Sequence, residues 1–115
     1  MRKFKILREV KILQILNGGP NIIHLHDVAR DASSKTPCLI FEYVSNANSS
    51  VAAVFGKFRD VDCRYYMFQL LVALDYAHSN GIMHRDVKPH NIMFDCISGR
   101  FKLIDWGLAE FYMPN

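Results

Sequence analysis

One stretch of the chain sets several catalytic-type side chains at short, fixed offsets: His84-Arg85-Asp86-Val87-Lys88-Pro89-His90-Asn91, with Asp105-Trp106-Gly107 further on. A carboxylate, an amide and a second carboxylate in this pattern suit the transfer of a phosphoryl group. That reaction asks a protein mainly to position groups and to neutralise charge moving toward the leaving phosphate. Asp86 is then the acceptor of a proton from an attacking hydroxyl. Asn91 and Asp105 offer the oxygen atoms that Mg2+, a hard cation, requires. Lys88 can reach the transferred phosphate as a point charge. Pro89 fixes one backbone angle in a loop that must not drift. Each of these residues alone reads better as part of a charged surface turn or as a helix cap; together they read as a phosphotransfer site.

Such groups need rigid elements on both sides. Residues 3–16 show apolar side chains at spacings of three and four (Ile6, Val10, Leu13, Leu16, with Ile12), the pattern of an amphipathic helix. Asn17-Gly18-Gly19-Pro20 ends it, the glycines supplying a left-handed cap and the proline barring continuation. Arg2, Lys5, Arg8 and Lys11 form a basic face on this helix, by default a solvated one. Residues 22–28 and 38–44 read as two strands joined by a turn-rich hairpin connection over residues 30–37. His24 and His26 would share one strand face; without further ligands nearby they read as structural histidines rather than a metal site. Residues 45–59 are the least legible, a loop or hinge followed by a helical turn or two over residues 51–58. A long helix runs to about Ser79, capped by Asp60 or Asp62, with a stripe of Val61, Tyr65, Phe68 and Val72 widened by Leu71, Leu74 and His78. Gly81 closes it. Residues 92–95 and 101–104 form a hairpin around Ser98-Gly99-Arg100 that returns Asp105 toward Asn91.

Composition narrows the class. At 115 residues the chain is about one small domain, and its 50% hydrophobic and 12% aromatic content argue for a packed core over disorder. A net charge of +3 is too mild to indicate nucleic acid by itself. No apolar run reaches membrane-spanning length, and the first residues, Met1-Arg2-Lys3-Phe4-Lys5, lack the apolar core of a signal peptide. Cys38, Cys63 and Cys96 are odd in number and widely spaced, which fits reduced thiols in the cytosol or nucleus.

The motif His-Arg-Asp, four residues, then Asn, with Asp-x-Gly downstream, resembles the catalytic loop and metal-binding motif of protein kinases. The resemblance is closest to the catalytic (alpha) subunits of the casein kinase II family. It is carried by Gly18-Gly19-Pro20-Asn21-Ile22-Ile23, Leu74-Asp75-Tyr76, His78-Ser79, the run from Gly81 to Asn91, and Leu103-Ile104-Asp105-Trp106-Gly107-Leu108-Ala109-Glu110-Phe111-Tyr112. Trp106 stands where most kinases have Phe.

The resemblance implies an α+β, protein-kinase-like fold in part: the end of the small lobe over residues 1–40, the hinge over 41–46, and the start of the large lobe over 47–115. The first helix becomes the kinase C-helix and Glu9 the acid that pairs with a phosphate-binding lysine. Phe41 is the implied gatekeeper, Glu42-Tyr43-Val44 the hinge strand that grips adenine, and Met93 and Ile104 part of the nucleotide floor. Arg2, Lys3, Lys5 and Arg8 occupy the region with which the family reads acidic residues after its target Ser or Thr. Phe4 and Leu7 replace further basic residues there. ATP or GTP and Mg2+ are the implied cofactors. Implied partners are protein substrates with acidic Ser/Thr sites and a casein kinase II regulatory subunit, and the implied location is cytoplasm and nucleus.

The family's Gly-rich loop and strand lysine precede the C-helix, and its activation segment follows the Asp-x-Gly. The chain is therefore expected to be a partial domain that transfers no phosphate alone. A non-catalytic interaction module or decoy is the alternative. A nucleic-acid module resting on the basic helix is disfavoured, because no aromatic stacking platform accompanies the charge.

Overall fold

The computed structural model describes residues 2–44, 56–95 and 97–112, the side chains of residues 2 and 3 excepted. In chain order the elements are α1 (Arg2–Leu16), β1 (Leu25–Arg30), β2 (Pro37–Phe41), α2 (Asp60–Ser79), β3 (Ile82–Met83), a 3-10 turn (Pro89–Asn91), β4 (Ile92–Phe94), β5 (Phe101–Leu103) and β6 (Glu110–Phe111). The strands form three antiparallel pairs, β1 with β2, β3 with β6 and β4 with β5. This mixed content is what the α+β expectation requires. The expected segment over residues 45–55 and the thiol of Cys96 lie outside the described residues.

The apolar spacing of α1 buries Ile12, Leu13 and Leu16 completely. Each such side chain contributes roughly 1.5–3 kcal/mol by leaving water. Gly18, at φ +85°, takes the left-handed position that ends the helix. Gly19 serves a different need: a Cβ there would lie 2.3 Å from the Tyr76 ring. The end of α1 is then tied to β1, since the Asn17 amide donates to the Leu25 carbonyl at 3.1 Å and accepts from the Leu25 N–H at 3.0 Å.

The first strand begins later than the sequence suggests. Residues 22 and 23 are claimed by β5 instead: Ile23 N–H donates to the Leu103 carbonyl at 3.2 Å and Leu103 N–H to the Asn21 carbonyl at 2.8 Å, giving a parallel bridge between Ile22 and Leu103. The pairing of β1 with β2 slips by one residue between Leu25 and Asp27, so His26 sits in a bulge. The His24 and His26 rings meet edge to face at 4.9 Å. The second strand ends at Phe41 rather than at Val44.

On α2 most of the expected stripe does not face the core, although Leu74 packs against it and Val72 is half-buried. Tyr66, Leu70, Ala73 and Ala77 are buried, while Val61, Tyr65, Phe68 and Leu71 are exposed, Phe68 at 61%. Both stripes obey helical periodicity, so spacing could not choose between them. The side with two alanines is the one that lets the helix axis approach its neighbours. Tyr66 packs edge-on against Phe101 at 5.2 Å and Phe94 at 5.7 Å, fastening the helix to the β4–β5 hairpin. Neither Asp60 nor Asp62 is the cap. Arg59 holds that position, and Asp62 reaches back from the first turn to accept its N–H at 2.9 Å. Asn80 and Gly81, the latter at φ +75°, close the C-terminus.

Candidate active site

The loop from β3 to the 3-10 turn is built around His84, which is 1% exposed. Its Nδ1 accepts the Asp86 N–H at 3.0 Å, so the ring proton sits on Nε2 and is donated to the Ile104 carbonyl at 2.8 Å. Burial pushes the His84 pKa down, against the opposing pull of the Ile104 carbonyl, Asp86 and Asp105. The neutral imidazole thereby joins the Asp86 backbone to the strand end that presents Asp105. Trp106 covers it edge-on at 4.6 Å and donates its own indole N–H to the Leu103 carbonyl at 3.1 Å.

Asn91 is buried and completes the loop. Its amide donates to the Asp86 carbonyl at 2.8 Å and to Asp86 Oδ2 at 3.0 Å, and its own carbonyl accepts the Ile104 N–H at 2.9 Å. Asp86 Oδ1 faces Lys88 Nζ at 3.6 Å. Arg85 at φ +70° and Asp105 at φ +54° both take left-handed backbone, a conformation that persists only where neighbours impose it. Arg85 is held by a 2.8 Å bond from Nε to the Leu108 carbonyl, and Asp105 Oδ1 accepts the Gly107 N–H at 3.3 Å.

Beside this loop lies a cleft of about 410 Å3, lined by Glu9, Ile23, Phe41, Glu42, Tyr43, Val44, Met93, Ile104 and Asp105. The cofactor-binding residues expected from the sequence therefore surround one cavity that also reaches Asp105. Ile23 was missed, because its alternation assigned it to a strand interior. Burial, and next the nearby Asp105, raise the pKa of Glu9. The two carboxylates converge without an ion-paired cation among the described residues, which suits a site for Mg2+ and a phosphate-binding lysine.

Glu42 is held from three sides. Its carboxylate accepts the His24 N–H at 3.0 Å and lies 3.3 Å from Lys102 Nζ and 3.2 Å from Arg100 Nη2. Burial works to raise its pKa, but the His24 N–H, Lys102 and Arg100 outweigh it and hold the carboxyl below its ordinary value. Of the basic residues expected to read substrate, Lys5 is exposed and Arg2 and Lys3 belong to α1 with side chains outside the described set. Arg8 departs from the expected solvated face: its Nη1 lies 2.6 Å from Glu110 Oε2.

The family model described as protein kinase domain matches residues 1–115. The chain belongs to the protein kinase domain family. Members of this family are phosphotransferases that generally use ATP and Mg2+, and in this protein kinase domain Asp105 lines the cleft beside the loop. Among the described residues no helix is long and apolar enough to cross a membrane, and no group of three or more His, Cys, Asp or Glu side chains is placed to hold a metal ion.

Proposed function

We propose that this chain is the hinge and catalytic-loop portion of a serine/threonine protein kinase of casein kinase II type, which transfers the γ-phosphate of ATP or GTP to Ser or Thr in acidic surroundings. The observation that carries the reading is the Asn91 amide, bonded to both the carbonyl and the carboxylate of Asp86. With its N–H groups so used, Asn91 keeps its oxygen for a cation, while Asp86 is oriented to take the proton of a hydroxyl. His84 fixes the backbone of Asp86 and spends no proton in the reaction. Asp105 would supply the second set of cation-binding oxygens, and Lys88, whose Nζ lies 3.6 Å from Asp86 Oδ1, would offer its charge to a bound phosphate. Mg2+, when bound, neutralises charge on the phosphates. Phe41, Val44, Met93 and Ile104 line the cleft and would enclose the base of a bound nucleotide, with the Glu42–Val44 backbone and Glu9 also available to hold it.

Lys5, with Arg2 and Lys3, is the basic group proposed to meet acidic residues of a protein substrate, and a regulatory subunit of casein kinase II type is the proposed further partner. The cytoplasm and nucleus are the proposed location, in keeping with the exposed free thiols of Cys38 and Cys63. The test is phosphate transfer to an acidic Ser/Thr peptide by a protein containing this chain. Asp86→Ala should lower turnover by about 10²–10⁴-fold, the range of general-base catalysis, with nucleotide binding retained. Asp105→Ala should weaken Mg2+-dependent nucleotide binding. Near-normal turnover by Asp86→Ala would remove the assignment of Asp86 as the base, whereas absence of turnover in the unmutated protein would favour a non-catalytic interaction module.

A further inference from the structure

His24 stands just before β1 and His26 within it, where the strand is irregular. His26 occupies the bulge between Leu25 and Asp27, at which the pairing with β2 slips by one residue. A bulge re-aims the side chain it carries. On a regular strand, residues two apart are separated by about 6.5–7 Å; here the ring centroids lie 4.9 Å apart, with the planes inclined at 72°. His24 is half-buried and His26 exposed. The backbone of His24 is fixed on both sides: its N–H donates to the Glu42 carboxylate at 3.0 Å, and its carbonyl accepts the Glu42 N–H at 3.0 Å. Both ring nitrogens of the buried His84 are engaged in hydrogen bonds. Among the described residues, by contrast, no hydrogen bond takes a ring nitrogen of His24 or His26.

We propose that His24 and His26 form a two-imidazole site for a late first-row divalent cation, Zn2+ or Cu2+, with water filling the remaining positions. Neutral imidazole is the commonest protein ligand for these ions. With metal–nitrogen bonds of about 2.0–2.1 Å, two imidazoles on one ion place their centroids roughly 4.5 Å apart at a right angle and roughly 5.2 Å apart at the tetrahedral angle. The observed 4.9 Å lies between these, so the rings need only turn about their side-chain bonds to share an ion. Room for the water is adjacent, because His26 lines a cavity of about 240 Å3 with Gln14, Asn17 and Asp27, and one water takes about 30 Å3. Among the described residues no third His, Cys, Asp or Glu joins the pair, so the site is unlike a closed structural zinc site and should exchange its ion freely. Two histidines spaced along a strand are ordinarily structural. The bulge, the close rings and the free nitrogens together favour a ligand pair. Neither ring lines the catalytic cleft, and the proposal does not depend on the proposed kinase function.

Zn2+ is titrated by calorimetry into the metal-free 115-residue chain at neutral pH, for wild type, His24→Ala, His26→Ala, the double variant and the control His78→Ala. Wild type should take up a single equivalent, and excess Mg2+, which prefers oxygen ligands, should not compete. Each single alanine variant should lose about tenfold or more in affinity. The double variant should show no specific uptake, and His78→Ala should match wild type. With the thiols alkylated, electron paramagnetic resonance of the Cu2+-loaded chain should show a pair of nitrogen donors, reduced to one donor in either single variant. Because the His26 side chain is exposed, His26→Ala decides the matter if His24→Ala does not fold, and His26→Gln repeats the test if the alanine change disturbs the bulge. A wild-type chain that takes up no Zn2+ would reduce the pair to ring packing and overturn the proposal. Uptake undiminished in the double variant would overturn it equally, by placing the ion elsewhere, as on the exposed thiols of Cys38 or Cys63.

Discussion

Glu9 and Asp105 put two carboxylates at one end of the cleft, and no described cation pairs with Glu9. Because burial and Asp105 raise the Glu9 pKa above 4.5, the folded state disfavours its ionised form. The sign follows: the folded chain holds the Glu9 proton more tightly than the unfolded chain, so stability declines as pH rises through the raised value. Glu9→Gln removes that penalty. It should stabilise the chain at pH 7 by about 0.5–1 kcal/mol, discounted for partial exposure, and give no gain near pH 4. Thermal melts of the two proteins at both pH values check this. Such a residue, unfavourable for stability where it stands, is typical of sites kept for chemistry. The loop motif around Asp86 was legible because its members lie within a few residues of one another. The commitment of Arg8 to Glu110 was not, because nothing local distinguishes a paired arginine from a solvated one.

The elements are joined by a few contacts in which one residue has no substitute. Gly19 is one: the Tyr76 ring occupies the space a side chain would need. Gly19→Ala should destabilise by about 1–3 kcal/mol through overpacking, and Tyr76→Ala should relieve part of the extra loss in a double-mutant cycle. Glu42 is another, clamping the end of β2 to β5 and to the chain before β1. Its pKa is depressed, so its stabilisation is present above the ordinary carboxyl value of 4.5 and is lost as pH falls through the folded value. Glu42→Gln should therefore lower stability by about 1–2 kcal/mol at pH 7 and flatten the acid limb below pH 4.5, as urea titrations at several pH values would reveal. Helix α1 could be read from Ile12, Leu13 and Leu16 because its other side is charged. Helix α2 could not be oriented, since Phe68 and Leu71 on one side are as apolar as Tyr66 and Leu70 on the other. Residues 22 and 23 were misassigned because a parallel bridge to Leu103 leaves no mark in local alternation.

For the molecule as a whole, the exposed side of α2 is its largest physical liability. Val61, Met67, Phe68 and Leu71 stand 50–61% exposed on one helix. Contiguous apolar surface of this kind drives association. The 115-residue chain should sediment as concentration-dependent oligomers, and Phe68→Glu with Leu71→Lys should shift it toward monomer without loss of helical signal. A wild-type chain that stays monomeric at high concentration would contradict this.

The bridge between Ile22 and Leu103 bears on how the protein is made. A ribosome delivers residue 22 long before residue 103, so the backbone groups of Asn21 and Ile23 must wait in solvent for their partners. The buried face of α1 waits with them, since its apolar residues share one core with Leu103, Trp106 and Ala109. Most of the nascent chain is thus exposed to chaperones or to its neighbours until the last strands emerge.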